Sequence, residues 1–194
     1  MPKPQCGQEW QVSGTKLGAH DMMDGLYEVR PATLADTEPL PRIEVASGEL
    51  FRTVGLDAVA DSAPTAPEVF AAAQQDGRLW VAVAATGKVV AFALGVYMDG
   101  HHHLQQLSVL PDHGRRGLGR ALIEAVCVWA RDEGGGQVTL STFSDVPWNG
   151  PYYERLGFRP LAEWELGPDL AAARVDEQAQ GLDISKRMMM RRDV

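Results

Sequence analysis

His103-Leu-Gln-Gln-Leu-Ser-Val-Leu110, then Arg115-Arg116-Gly117-Leu118-Gly119-Arg120, then an uninterrupted amphipathic run to Asp132, reads as a strand entering a helix through a glycine-bearing turn. Glycines at 117 and 119 let the backbone meet a ligand with no Cβ in the way. The amides that open a helix are unpaired donors at the positive end of its dipole. A phosphate belongs there. The glycines do not follow Gly-x-Gly-x-x-Gly, and no Gly-Lys-Ser/Thr comes after them, so neither the dinucleotide fingerprint nor the ATP-type P-loop fits. Another phosphate-bearing ligand is required.

The elements on either side set the fold. Downstream, Leu118, Ala121, Leu122, Ala125, Val126 and Trp129 form one helical stripe, with Arg120 and Glu124 facing outward as an i,i+4 pair. Gly134-Gly-Gly136 ends this helix, residues 138–143 form a strand, and residues 149–156 form a short helix closed by Gly157. A strand starts at 158–161. Residues 184–192 read as a last strand whose Lys and Arg guard a sheet edge. Upstream, residues 26–30 form a first strand. A helix capped by Thr33 or Asp36 runs through Leu40, Ile43 and Phe51, its start limited by Pro39 and Pro41. Residues 67–74 form a second helix, with Pro at its first turn. Residues 79–83, 89–97 and 104–110 form an antiparallel meander turned at Thr86-Gly87 and Asp99-Gly100. The crossover helix between later strands implies one parallel pair.

The chain has 194 residues, 45% of them hydrophobic, which supports one domain over 25–194. Residues 1–24 mix Pro, Gly, Gln and Lys without periodicity and are expected to form a flexible arm. A net charge of −8 argues against a nucleic-acid partner and favours cationic substrates. No 18-residue apolar stretch or basic-then-apolar leader is present, so a cytoplasmic protein without a membrane partner is expected. Cys6 and Cys127 form no disulfide framework or metal cluster. His101, His102 and His103 alternate across a strand without an Asp, Glu or Cys partner set, so no metal is expected.

Together with Asn149-Gly-Pro-Tyr-Tyr-Glu-Arg-Leu-Gly-Phe158, this order of elements resembles the GNAT superfamily of acetyl-CoA-dependent N-acetyltransferases over residues 26–192. The resemblance implies an α/β (α+β mixed-sheet) fold, with a mostly antiparallel sheet, a parallel pair at the cofactor cleft and flanking helices. It implies the CoA pyrophosphate on Gly114, Arg115, Arg116, Gly117, Leu118, Gly119 and Arg120, and the pantetheine arm along Leu107, Ser108 and Val109. Gly114 stands where the family usually has Arg or Gln, so side-chain charge falls to Arg115 or Arg116. Asn149 matches a residue that contacts the cofactor, with helix N-capping as a compatible role.

The implied reaction is direct attack of a neutral amine on the acetyl carbonyl, with no covalent enzyme intermediate. A backbone amide of 107–109 would hold the oxyanion. Tyr153 is the candidate general acid, since a phenol with pKa near ~10 is protonated at neutral pH. Core packing is its alternative, and Tyr152 is read as a packing residue. Many family members place a glutamate on the strand where this chain has Gln105 and Gln106, which cannot act as bases. The base is then water, Glu44, Glu49 or a histidine. Glu44, Phe51, Gln106 and Trp148 are candidates for the acceptor site, with core burial the alternative for Phe51 and Trp148. The function implied is acetyl transfer from acetyl-CoA to a primary amine of a small molecule or peptide. The missing glutamate and Gly114 support a rival, a non-catalytic acyl-CoA-binding or sensing module. The last strand offers an edge for a homodimer.

Overall fold

Residues 26–194 are described by a computed structural model. The expected arm at 1–24, with Cys6, lies outside the described residues. The chain enters through β1 (Tyr27–Pro31) and returns to the sheet with β2 (Leu79–Ala84), β3 (Val89–Met98) and β4 (His101–Val109). Then follow β5 (Gln137–Phe143), the two-residue β6 (Arg159–Pro160) and β7 (Arg187–Asp193). They make a seven-stranded sheet in the order β1-β2-β3-β4-β5-β7-β6. All neighbours are antiparallel except β4 and β5, joined by the crossover helix. The β3–β4 turn uses Asp99 and Gly100 at φ 53° and 73°, the paired left-handed geometry that follows the right-handed twist of the strands.

Helices cover both faces, which is why β2 reads as a continuous apolar run rather than an alternating one. On one face, Leu79, Val81, Phe92 and Leu94 pack with Leu40 and Ile43 of α1 (Leu40–Gly48) and Phe70 of α3 (Pro67–Gln75). On the other, Trp80, Ala82 and Ala93 meet Leu122, Ile123, Val126 and Trp129 of α4 (Leu118–Asp132). Trp129 approaches the sheet so closely that a Cβ on Gly95 would stand 2.7 Å from its ring.

The predicted first helix is divided into a 3-10 turn (Leu34–Thr37), α1 and a second 3-10 turn (Glu49–Val54). Pro39 and Pro41 lack the amide hydrogens needed to carry one ladder through. Short α2 (Asp57–Ala60) and the longer α6 (Pro168–Ala179) were not anticipated, whereas α5 (Gly150–Arg155) was. Two expectations are corrected. β7 is an open edge over only part of its length: it pairs with β5 over seven residues and carries β6 on its far side at Met190 and Arg191. Its cations are held in ion pairs, Arg192 on Glu124 at 2.6 Å and Arg187 on Glu177. For the same reason Glu124 is not the partner of Arg120; Arg192 and Arg131 take its carboxylate instead. No helix among the described residues is long and apolar enough to cross a membrane.

Two irregularities in β4 create the site. β4 pairs with β5 only at His102–Val138, His103–Thr139 and Leu104–Leu140, after which the two strands separate. At the same place the register against β3 slips: Gly95 faces Leu104 while Leu94 faces Gln106, leaving Gln105 as an extra residue. Such a bulge bends and twists the strand that carries it.

Candidate active site

The separated strands open a cleft of about 990 Å³. It is walled by α1 and the following 3-10 turn, by the open length of β4, by the amino end of α4 and by α5. At its α4 end the chain forms a loop with the backbone geometry of an anion cradle. Arg115 and Gly117 have φ of 57° and 78°, which turns successive amides inward. The first bond inside the helix runs from the Ala121 amide to the Gly117 carbonyl, and no side chain caps the helix start. The amides of Leu118, Gly119 and Arg120 are therefore the orphan donors. Beside them stands the Tyr152 hydroxyl, 3.1 Å from where a Cβ on Gly119 would lie.

The arginines divide by role. Arg116 donates to the Tyr27 hydroxyl at 2.8 Å and to the Asp112 carbonyl at 3.2 Å, so it braces the loop against β1. Arg115 and Arg120 are exposed at the cleft, and Arg155 lies over the Tyr152 ring at 5.9 Å. Gly114 lines the cleft, and its amide bonds the Pro111 carbonyl. Leu107 and Val109 line the open strand, whereas the Ser108 side chain is turned inward and accepts from Gln106 at 3.1 Å.

One buried polar atom in the wall has no protein partner among the described residues. Asn149 Oδ1 is buried and unbonded. The start of α5 is capped by the Asn149 backbone carbonyl, which accepts the Tyr152 and Tyr153 amides at 2.8 and 2.9 Å, so its side chain does no capping. Tyr153 lines the cleft and is 8% exposed, packed edge-on to Phe158. Burial pushes its phenol well above the ordinary value, so it stays protonated throughout the physiological range.

The base candidates separate clearly. Glu44 lines the cleft, its carboxylate accepting from the Thr65 amide at 2.9 Å and the Thr65 hydroxyl at 3.1 Å. Burial raises its pKa, and the Thr65 bonds oppose that rise. Glu49 does not line the cleft and is paired with Arg52 at 2.9 Å. His101, His102 and His103 also lie outside it. His102 is bonded to Glu133 at 2.9 Å, and His103 to Thr139 at 2.8 Å, with burial lowering the His103 pKa to about 4. His113 lines the cleft but is tied to the Tyr27 hydroxyl at 2.8 Å.

Phe51 and Trp148 both face the cleft, half-buried, with ring centroids 6.1 Å apart, and Phe51 lies 5.6 Å from Phe143. Gln105 and Gln106 line it as well. Sequence reasoning missed Thr65, Phe143, Arg155 and Arg187, which also line or brace this space. Thr65 sits in an Ala-Pro-Thr-Ala-Pro loop with no periodic signal. The α6 region, which brings Gln180 and Leu182 to the cleft, did leave one: Gly167-Pro168-Asp169 places proline in a first helical turn.

Comparison with known proteins places this architecture. Residues 49–158, more than half of the chain, match the acetyltransferase (GNAT) family, and the chain belongs to it. Over 88 residues it is 34% identical to the streptothricin acetyltransferase of Streptomyces lavendulae, an alignment covering 43% of this chain and 45% of that one. The chain thus matches less than half the length of this curated relative. In shape it is similar to the PaiA N-acetyltransferase from Thermoplasma acidophilum in complex with coenzyme A. That match has 13% identity and a TM-score of 0.60, over 87% of this chain and 99% of the other. It is also similar to N-acetylglutamate synthase from Neisseria gonorrhoeae complexed with coenzyme A and N-acetyl-glutamate. Here identity is 16% and the TM-score 0.63, over 88% of this chain and 36% of the other. These two likenesses establish the fold.

Proposed function

We propose that the protein transfers an acetyl group from acetyl-CoA to a primary amine of a small molecule or peptide by direct attack. The observation that carries this reading is the meeting, in one cleft, of an anion cradle and a buried, protonated phenol. The residues present fit the cosubstrate. The cradle takes a pyrophosphate, the open edge of β4 takes an amide-bearing arm, and Asn149 Oδ1 is a buried acceptor awaiting a donor. The relative from Streptomyces, named for its action on streptothricin, supports a small-molecule acceptor.

When bound, acetyl-CoA supplies a thioester. The amides of Leu118, Gly119 and Arg120 hold the pyrophosphate, with Arg115 and Arg120 adding charge. Leu107 and Val109 flank the pantetheine arm. A backbone amide on the unpaired stretch of β4 stabilises the charge that develops on the carbonyl oxygen. Tyr153 donates its proton to the departing sulfur, a role its raised pKa preserves at neutral pH. Neither Gln105 nor Gln106 accepts the ammonium proton, and Glu49 and the His101–His103 run lie elsewhere. Glu44 lines the cleft but its carboxylate already accepts from Thr65, so we assign that proton to water.

The test is thiol release from acetyl-CoA across a panel of amines, amino acids and short peptides, with wild type and Tyr153→Phe. Loss of a positioned general acid lowers turnover by roughly 10²–10⁴-fold while CoA affinity holds. Unchanged turnover removes Tyr153 from the mechanism. CoA binding without release on any acceptor identifies a sensing module instead.

A further inference from the structure

The cleft carries a carboxylate that the proposed acetyl transfer does not use, set apart from the arginines at its phosphate end. Its lining arginines at the phosphate loop and α5 are Arg115, Arg120 and Arg155, and Arg187 beside β5 is neutralised by Glu177. Glu44 is the lining carboxylate. Thr65 orients it through two neutral bonds that leave its charge uncancelled, and no described cation lies within ion-pair distance. A carboxylate drawn out of water and left without a cation is costly, so it is a strong receptor for one.

The surroundings suit an ammonium group. Glu44, Gly48 and Phe51 follow at i, i+4 and i+7 along the continuous run of α1 and its 3-10 turn, so all three face the cleft on one side. Gly48 lines the cleft between them in sequence, its Cα side packed toward Ala60 of α2. Phe51 joins Trp148 and Phe143 in an aromatic cluster that already holds one cation, since the Arg187 guanidinium lies 4.6 Å above the Phe143 ring. Aromatic faces beside a carboxylate attract ammonium groups through the ring quadrupole and direct charge.

We propose that the acceptor is dibasic: one amine, neutral, attacks the thioester, while a second ammonium is held by Glu44 beside Phe51 and Trp148. The inference rests on the acetyltransferase reading and adds the substrate class to it. The net charge of −8 favours the approach of such a dication.

The probes are 1,5-diaminopentane and pentylamine, which share a chain and differ by one ammonium. Each is titrated calorimetrically into the full chain saturated with CoA, for wild type, Glu44→Gln and Trp148→Leu. Melting curves and CoA titrations report that each variant is folded. In thiol release wild type uses the diamine at least ~10-fold more efficiently, as kcat/KM, than the monoamine, whose single amine cannot both sit on Glu44 and attack, and Glu44→Gln brings that ratio close to one. Trp148→Leu lowers the ratio by roughly 3–10-fold, which keeps the proposal open to refutation if Glu44→Gln does not fold. A wild-type ratio near one, a ratio that survives Glu44→Gln, or no diamine binding at all overturns the proposal. Thiol release and calorimetry, run in parallel, separate the two readings. Diamine bound tightly without release defeats acetylation and leaves the cation site standing. Equal release with both amines defeats the dibasic acceptor and leaves acetylation standing.

Discussion

Replacing Gly119 by alanine sets stability against ligand binding with opposite signs. Gly119 lies in the first turn of α4 with helical backbone, so alanine fits its conformation and gains about 1 kcal/mol in helix propensity. The new methyl lands 3.1 Å from the Tyr152 hydroxyl and 3.8 Å from Leu107 Cδ2. The first contact is tight, but it is made by the far end of a half-buried ring that moves a few tenths of an ångström. The net effect lies between no change and a gain of about 1 kcal/mol, a rise in Tm of at most ~2–4 °C. Binding goes the other way. The methyl enters the cleft between Tyr152 and Leu107 at the start of α4, where it crowds the phosphate proposed to sit on the Leu118, Gly119 and Arg120 amides. Losing one charge-assisted hydrogen bond at ~1.5–3 kcal/mol weakens CoA by roughly 10–100-fold. Calorimetry with CoA and with pantetheine, which lacks the phosphates, reads this beside a melting curve. Expected are weaker CoA, unchanged pantetheine and a Tm at or above wild type. CoA affinity within twofold of wild type, or an equal loss for pantetheine, refutes the assignment of the cradle.

Two further substitutions test the frame. Gly95→Ala drives a methyl to 2.7 Å from the ring of Trp129, which is itself walled in by Trp80, Tyr97 and His102. Overpacking of this kind costs about 2 kcal/mol and lowers Tm by ~4–8 °C; an unchanged Tm shows that the core yields there. Asp36 receives Arg30 at 2.7 and 3.1 Å and Thr33 through its amide and hydroxyl at 2.7 Å, which holds its carboxyl at about 2. Because the folded pKa lies below the ordinary value, the stabilisation is present above pH ~4 and is lost as pH falls from ~4 to ~2. Allowing for partial exposure of Arg30, Asp36→Asn costs on the order of 1–2 kcal/mol at pH 7. Denaturant unfolding of both proteins should find that gap closing toward pH 2, and a gap independent of pH excludes the ionic origin.

The parts of the fold with a local cause were legible in the sequence. The stripe of α4, the Asp99-Gly100 turn and the apolar runs of β2 and β3 each carry their periodicity or turn chemistry within a few residues. The parts set at a distance were not. Arg192 and Arg120 are both arginines near Glu124, one in tertiary and the other in helical reach, and only the folded register of β7 decides that Arg192 wins. The cluster Lys186-Arg187 and Arg191-Arg192 looks like an edge guard in one dimension, whereas Arg187 and Arg192 find their partners Glu177 and Glu124 on other elements. In the site, the glycines at 117 and 119 were readable because backbone conformation is a local property. The rivalry between Glu44 and Glu49 was not, since five residues of helical and 3-10 rotation turn one into the cleft and the other into the Arg52 ion pair.

The departure of β5 from β4 after Leu104 leaves an open strand edge that suits the amide-bearing ligand proposed for the cleft. A strand buried in a sheet has partners for its backbone groups on both sides, and an unpaired edge must find donors and acceptors elsewhere. Beyond Leu104 the side of β4 that faced β5 has no protein strand beside it, while β3 continues to pair on the other side through Val109. The pantetheine arm proposed for this place carries amides and lies extended, so it completes the sheet as an added strand does. The Gln105 bulge falls at the same point and gives β4 extra twist where the two strands part. The strand then leads directly to Arg115 and Gly117, whose positive φ values turn the next amides toward the phosphate end of the same ligand. The proposed binding along this path rests on backbone geometry more than on side chains, so a glycine at 114, where the resemblance implies Arg or Gln, is expected to leave CoA binding intact.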